Sequence, residues 1–145
     1  MPSPLALDDL RPSGGGPPPV VLPRGPARPL RVVVVDEDPA VAEGLAILLE
    51  LLGHEAWVAQ DGPDGLAAIA ARLPDAVVLD VDLPGMDGFT VARAARALPG
   101  AEGLSIAGLN GWGQADDRRR SRRTGFDAHF VKPVGLAELA AWLAA

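Results

Sequence analysis

Four charged side chains of this sequence stand where short apolar runs end: Asp36, Glu37, Asp80 and Lys132. Such runs, bounded by turn residues, predict strands that are buried on both faces, and parallel strands place their carboxyl ends at one edge of a sheet. Carboxylates gathered at that edge repel one another, so they need a counter-charge. Their oxygens suit Mg²⁺, which takes few protein ligands together with waters and a phosphate. A carboxylate nucleophile, Mg²⁺ and a lysine are together the parts for phosphoryl transfer onto Asp80.

Asp80 is the centre of this hypothesis. It follows the apolar run 77–79 and precedes a Pro-Gly turn at 84–85, so it is expected at the carboxyl end of its strand, where open α/β sheets bind ligands. A purely structural interpretation is that residues 36–38 only cap the first helix and that Lys132 pairs with Asp80. That interpretation suits any one of these residues alone, whereas their convergence on one edge favours the phosphoryl site.

Strand and helix patterns alternate from Leu30 onward. The predicted strands are residues 31–35, 55–59, 76–80, 104–109 and 126–131. Four predicted helices have apolar stripes, at Val41, Leu45, Leu48 and Leu52, at Leu66, Ile69 and Leu73, at Val91, Ala95 and Leu98, and at Leu136, Leu139 and Leu143. A further helix, rich in arginine, is predicted at about 114–124. This alternation predicts an α/β fold, a five-stranded parallel sheet that is doubly wound, with helices on both faces. Right-handed crossovers place Asn110 on the same edge as the four charged residues.

Capping residues mark the limits of the first two predicted helices. Asp38 is expected to cap the first helix, with Pro39 in its first turn and Gly53 just after its end. Pro63 is expected to open the second helix.

The first 29 residues differ in composition from the rest of the chain. They hold nine of the 15 prolines and a run of three glycines, and such a segment cannot bury enough surface to offset its chain entropy. We therefore predict a disordered leader at 1–29 and one domain at 30–145. A proline-rich ligand for an aromatic groove is the alternative interpretation of the leader.

Composition and charge exclude several classes of function. The chain has no cysteine and a net charge of −6, which excludes disulfides and cysteine-ligated metals and disfavours direct binding of nucleic acid, because phosphate contacts rest on Lys and Arg. No apolar run approaches the ~20 residues needed to span a bilayer, and the amino terminus lacks the pattern of a secretory signal. A cytoplasmic protein that does not contact membranes is expected.

Three motifs, in this order and spacing, point to a known family. They are Val-Val-Val-Val-Asp-Glu-Asp-Pro at 32–39, Val-Val-Leu-Asp-Val-Asp-Leu-Pro-Gly-Met-Asp-Gly at 77–88, and Gly-Phe-Asp-Ala-His-Phe-Val-Lys-Pro-Val at 125–134. Over about residues 30–145 the chain resembles the receiver domain of two-component response regulators. The resemblance implies the flavodoxin-like fold of the chemotaxis-type single-domain regulators.

The resemblance also implies roles for individual residues. Asp80 resembles the phosphoacceptor, Asp36 and Glu37 the acidic pair that holds Mg²⁺, and the backbone carbonyl of Asp82 a further ligand. Lys132 resembles the phosphate-binding lysine, and the proline after it, Pro133, is expected in the cis form.

Two switch positions depart from the family pattern. His129 stands where the family has a rotating aromatic residue, and Asn110 stands where it has Thr or Ser. An amide can still donate a hydrogen bond to a phosphoryl group, but it is longer than a hydroxyl. A degenerate receiver, which binds proteins without being phosphorylated, is therefore the alternative function.

The resemblance implies a histidine kinase or phosphotransfer protein as phosphodonor. Because the sequence stops soon after the last predicted helix, no fused output domain is expected, and output is assigned to an unknown downstream protein. The arginines within 118–123 are interpreted as a solvated helix face rather than a docking surface. A hydrolase of the haloacid-dehalogenase type shares the Asp-x-Asp pattern of 80–82, but such enzymes usually carry it on their first strand.

Overall fold

The computed structural model of the protein describes residues 28–110 and 125–144. Its strands are β1 (Arg31–Val35), β2 (Glu55–Ala59), β3 (Ala76–Asp80), β4 (Ser105–Asn110) and β5 (Ala128–Val131). Its helices are α1 (Pro39–Leu51), α2 (Gly62–Arg72), α3 (Gly88–Arg96) and α4 (Leu136–Ala144). No helix in these two ranges is long and apolar enough to cross a membrane. Most of the predicted leader, and the helix predicted at about 114–124, lie outside the described residues.

The five strands form one parallel sheet in the order β2-β1-β3-β4-β5. The register places Val35 beside Leu79 and Asn110 beside Val131. The carboxyl ends of the strands therefore meet at one edge of the sheet. The predicted doubly wound parallel fold is confirmed.

Apolar layers cover both faces of this sheet. Alternate residues of the two central strands enter opposite layers: Val33, Val35, Val77 and Leu79 pack with α2 and α3, and Val32, Val34, Ala76 and Val78 pack with α1 and α4. Because successive side chains of a strand point to opposite faces, β1 and β3 each contribute side chains to both apolar layers. This is why β1 is apolar from Val32 and β3 from Ala76, up to the residue at which each strand reaches the carboxyl edge.

Aspartate side chains cap the amino ends of three of the four described helices. Their Oδ1 atoms accept hydrogen bonds of 2.8–2.9 Å from backbone N–H groups in the first turn, in the pairs Asp38–Ala40, Asp61–Asp64 and Asp87–Thr90. Such a cap is worth about 1 kcal/mol. The caps predicted at Asp38 and, with φ of +92°, at Gly53 are confirmed. The other two aspartate caps were not predicted.

Two predicted helix faces need correction. The buried residues of α1 are Ala42, Leu45, Ala46 and Leu49, whereas the predicted Val41, Leu48 and Leu52 are only partly buried. Small alanines let α1 approach the sheet closely, which rotates its inner face away from the larger residues. Leu73 was wrongly assigned to the inner face of α2, because it ends that helix in a left-handed conformation and is 47% exposed.

The limits of the last two strands also differ slightly from the prediction. β4 lies one residue further along the chain than predicted, and β5 begins two residues later. Phe126 remains buried in the apolar layer beside α3 even though it precedes the strand. A buried apolar residue therefore does not by itself show where strand pairing begins.

Candidate functional site

Asp36 follows β1 directly and is fully buried. Its backbone N–H donates to the carbonyl oxygen of Ala59 at 3.1 Å, and its Oδ1 accepts from the backbone N–H of Asp38 at 2.9 Å. One carboxylate oxygen thus shapes the turn that leads into α1. The other, Oδ2, requires a cation, since an unpaired buried charge is costly.

Asp80 is the last residue of β3 and is 3% exposed. Its Oδ1 accepts from the backbone N–H of Asp82 at 3.0 Å. The adjacent N–H of Val81 donates to the carbonyl oxygen of Leu109 at 3.0 Å, which ties the start of the following loop to β4. Asp80 therefore repeats the arrangement of Asp36, with one oxygen used locally and the other directed toward the same centre.

Lys132 joins the two carboxylates. Its Nζ lies 2.7 Å from Oδ2 of Asp36 and 3.2 Å from Oδ2 of Asp80. Burial by itself lowers the pKa of Lys132, but the hydrogen bonds and charges of the two carboxylates outweigh it, so the pKa is raised above its ordinary value. The ammonium is therefore fully charged at neutral pH. It is the shared counter-ion that the sequence predicts at this edge.

Asn110 and His129 lie on the two strands beside the site. Asn110 is buried at the end of β4, and its backbone carbonyl accepts a hydrogen bond from the N–H of Lys132 at 2.8 Å. His129 on β5 is the register partner of Gly108, and a Cβ added to that glycine would lie 3.3 Å from Nδ1 of the imidazole. The ring thus packs over a position that has no side chain. Roles for Asn110 and His129 as switch residues remain predictions.

The two buried carboxylates fit a hard divalent cation. Oδ2 of Asp36 accepts no hydrogen bond from the described residues beyond its ion contact with Lys132. Glu37 and the side chain of Asp82 are exposed, and within 28–110 and 125–144 no three His or acidic side chains are grouped to hold a metal. Mg²⁺ suits such a sparse site, because it keeps several of its own waters. Glu37 and the Asp82 carbonyl remain predicted ligands.

Gly88 is a structural determinant of the site whose role was missed in the sequence. A Cβ at this position would lie 2.6 Å from Cα of Val81, and its N–H donates to the Val81 carbonyl at 3.1 Å. Only glycine allows the start of α3 to approach the end of β3 so closely. The Asp-Gly pair at 87–88, directly before an apolar helical pattern, was the signal available in the sequence.

The cis peptide expected at Pro133 is present. Asp36, Asp80 and Lys132 are brought together as predicted, at the carboxyl edge of a doubly wound parallel sheet. Residues 32–144 match the sequence profile of the response regulator receiver domain. The chain belongs to this family.

Curated proteins with similar sequences match this chain over part of their length. Response regulator MprA of Mycolicibacterium vanbaalenii is 40% identical over 113 residues, which are 78% of this chain and 48% of MprA. The transcriptional regulatory protein PrrA of Mycobacterium tuberculosis is 39% identical over 111 residues, which are 77% of this chain and 47% of PrrA. The chain thus spans about half the length of these curated relatives.

Solved structures share the fold. Chemotaxis protein CheY4 of Vibrio cholerae superposes with a TM-score of 0.75 at 25% identity, over 81% of this chain and 97% of CheY4. The receiver domain of the sensor histidine kinase PA1611 of Pseudomonas aeruginosa has a TM-score of 0.72 at 24% identity, over 79% and 94% of the two chains. That receiver is described with a magnesium ion coordinated in its active-site cleft.

Proposed function

We propose that this receiver domain accepts a phosphoryl group on Asp80 from a histidine kinase or a phosphotransfer protein, in a reaction that requires Mg²⁺. The observation that carries the proposal is the position of the Lys132 ammonium, 2.7 Å and 3.2 Å from the Oδ2 atoms of two buried carboxylates. A phosphoryl group on Asp80 would bring its charged oxygens to a fixed cation that is already partly desolvated, with its side chain 24% exposed. Such preorganised charge is the main source of catalysis in phosphoryl transfer.

The chemical step follows from the position of Asp80. A carboxylate oxygen attacks the phosphorus of a phosphohistidine, the P–N bond breaks, and its electron pair returns to the imidazole nitrogen of the donor. Lys132 stabilises the charge on the transferred group, and Asp36 with Asp80 would hold the metal. When bound, Mg²⁺ neutralises charge on the phosphoryl oxygens. The domain therefore promotes its own phosphorylation, although its role is to signal rather than to turn over a substrate.

Phosphorylation adds about −1.5 to −2 units of charge next to Lys132, by analogy with other phosphorylated side chains. Because the backbone N–H of Lys132 is bonded to the carbonyl of Asn110, a shift of the lysine acts on the ends of β4 and β5. A near-complete switch requires about 5 kcal/mol of differential stabilisation.

The proposed output is contact with another protein. The described domain is not proposed to bind nucleic acid or membranes, and the proposal keeps the cytoplasmic location expected from the sequence. The match to a relative named as a transcriptional regulator covers only 47% of that relative. The output of that relative is therefore not transferred to this chain.

The test is incubation with acetyl phosphate and Mg²⁺, read by intact-protein mass spectrometry. We expect a gain of about 80 Da, the mass of one phosphoryl group, which is lost in Asp80→Asn and when EDTA replaces Mg²⁺. A mass gain that persists in Asp80→Asn would assign the acceptor to another residue and overturn the proposal.

A phosphorylation-independent binding module is the second candidate. It is favoured by Asn110, whose amide stands at the position where the family has a hydroxyl. Amide hydrogen exchange of residues 104–110 and 125–131, with and without a phosphoryl mimic such as beryllofluoride, separates the two candidates. A mass gain without any change in protection would leave phosphorylation in place but contradict the switch.

A further inference from the structure

The loop between β3 and α3, residues 81–87, controls the orientation of the Asp80 carboxylate. The N–H of Asp82 in this loop donates to Oδ1 of Asp80 at 3.0 Å. Beyond it, the N–H of Met86 closes a turn on the carbonyl of Pro84 at 2.9 Å. A displacement of the loop would therefore rotate the carboxylate away from Lys132.

The first residue of α2 supports this loop from the side. A Cβ added to Gly62 would lie 2.8 Å from Cβ of Met86, 3.1 Å from its Cγ and 3.1 Å from its carbonyl oxygen. These separations are shorter than the contact distance of non-bonded carbon atoms. The hydrogen at Gly62 thus lets the backbone of α2 pack directly against the Met86 segment.

The helix is the more rigid of the two partners. Its first turn is capped by Asp61, whose Oδ1 accepts from the N–H of Asp64 at 2.8 Å and whose carbonyl accepts from the N–H of Gly65 at 2.9 Å. Ile69 anchors its middle in the apolar layer with no exposed surface. In the loop, by contrast, Pro84 and Gly85 are exposed. A side chain at position 62 would therefore displace the loop rather than the helix.

We propose that the contact between Gly62 and Met86 is a positioning contact for the phosphoacceptor, which holds the 81–87 loop so that the Asp82 N–H orients the Asp80 carboxylate. Gly62 and Met86 act through the backbone of the loop. The functional consequence rests on the proposed phosphorylation of Asp80, whereas the positioning itself can be measured without it.

The experiment compares Gly62→Ala with the wild-type chain by two measurements. The first is Mg²⁺ affinity by calorimetry, and the second is hydrogen exchange of the Asp82 amide without metal. We expect Gly62→Ala to weaken Mg²⁺ binding by about tenfold, the effect typical of residues that orient metal ligands, and to accelerate exchange of the Asp82 amide. Gly103→Ala is the matched control, because no atom lies within 4 Å of a Cβ added there and its φ is not left-handed. It should change neither quantity.

A rescue variant separates positioning from general destabilisation. Met86→Gly removes the two side-chain atoms that the new Cβ would meet and leaves the carbonyl oxygen at 3.1 Å. Gly62→Ala combined with Met86→Gly should therefore recover part of the Mg²⁺ affinity and slow Asp82 exchange relative to Gly62→Ala alone. Unchanged Asp82 exchange in Gly62→Ala, or no recovery in the double variant, would overturn the positioning proposal. Failure of the wild-type chain to bind Mg²⁺ would instead count against the proposed function, and the exchange data would still decide the positioning.

Discussion

The two ends of β3 carry two aspartates with opposite uses. Asp75 immediately precedes the strand, and both of its oxygens are occupied: Oδ1 by Nη2 of Arg28 at 2.8 Å, and Oδ2 by Nη1 of Arg28 at 3.1 Å and the N–H of Arg31 at 2.8 Å. Asp80 ends the strand with one local hydrogen bond and a lysine that it shares with Asp36. The first carboxylate is saturated by donors, whereas the second is one of two carboxylates with a single cation between them.

This difference separates a structural ion pair from the ion pair of the proposed phosphoryl site. The side chain of Asp75 is 27% exposed, so water shares in its solvation. Asp80 is almost completely buried, and among the described residues two carboxylates, Asp36 and Asp80, share the one ammonium of Lys132, which leaves an excess of one negative charge. A buried excess of negative charge is expensive unless a ligand relieves it. The ion pair at the amino edge of the sheet therefore holds two segments of the chain together, whereas the carboxyl edge is the site that we propose for a cation and a phosphoryl group.

The largest effect is expected from Lys132→Ala. Removal of the shared cation leaves two buried carboxylates that repel each other, so the free energy of unfolding at pH 7 should fall by about 3 kcal/mol, the lower end of the range for broken buried ion pairs. Urea titration measures it. Asp36→Asn in the same chain should restore part of the loss, since it removes one of the two charges. A loss no larger than that of Asp75→Asn would contradict the contrast between the two edges.

A smaller effect is expected from Asp75→Asn. The charged hydrogen bonds to Arg28 are partly exposed, so the loss of unfolding free energy at pH 7 should be about 1 kcal/mol. The hydrogen bonds to Arg28 lower the pKa of Asp75 below its ordinary 3.8. The stabilisation is therefore present above pH 3.8 and disappears as the pH falls through the folded-state value. Urea titrations of both chains from neutral pH down to strongly acidic pH should converge at the acid end; a constant difference would be inconsistent with an ionic origin.

The smallest effect is expected from His54→Gln at the same amino edge. Nδ1 of His54 accepts the N–H of Leu30 at 2.9 Å, and burial lowers the pKa of the imidazole, although Asp75 opposes this shift. Because the folded chain holds this proton less tightly than the unfolded one, wild-type stability falls as the pH drops below the ordinary 6.5. A glutamine side chain cannot titrate, so the free energy of unfolding should fall less in the variant than in the wild-type chain between pH 7 and 5. The difference between the two losses should be less than about 1 kcal/mol.

Thermal melts at several pH values would measure the effect of His54→Gln. His129→Gln provides the second histidine variant for comparison, since the chain contains only these two histidines. An equal acid dependence in the wild-type and His54→Gln chains would show that this imidazole is not the titrating group.

Local patterns were sufficient to predict the sheet and the centre of the site. β1, β2 and β3 have the predicted limits, because each is a short run of apolar or β-branched residues between turn signals. Once the strands are parallel, the carboxyl ends of β1, β3 and β5 must share an edge, which brings Asp36, Asp80 and Lys132 together. The parallel topology thus brings together, in one site, three residues that each have a separate local signal in the sequence.

Contacts between distant residues were not predictable in this way. Arg28 and Asp75 are separated by 47 positions, and Arg96 in α3 donates to the carbonyl of Gly125, 29 positions away. Neither pair has a periodicity that would reveal it, since each depends on the register of two elements that pack only in the finished fold. The Gly62–Met86 contact has the same origin. Leu73 was misassigned because helical periodicity does not show where the backbone leaves the helix.

The strand order also sets the sequence of events during synthesis. β1 lies between β2 and β3, and the later strands add only on the β3 side, so the β2 border of the sheet is synthesised early and the β5 border last. Asp36 and Asp80 are both complete when residue 80 has emerged, but Lys132 belongs to the segment that follows the last strand. Until it arrives, the nascent sheet carries two carboxylates without their protein counter-ion. In a sheet formed before that point, water or a cation must solvate both carboxylates, because a buried charge without a counter-ion is costly.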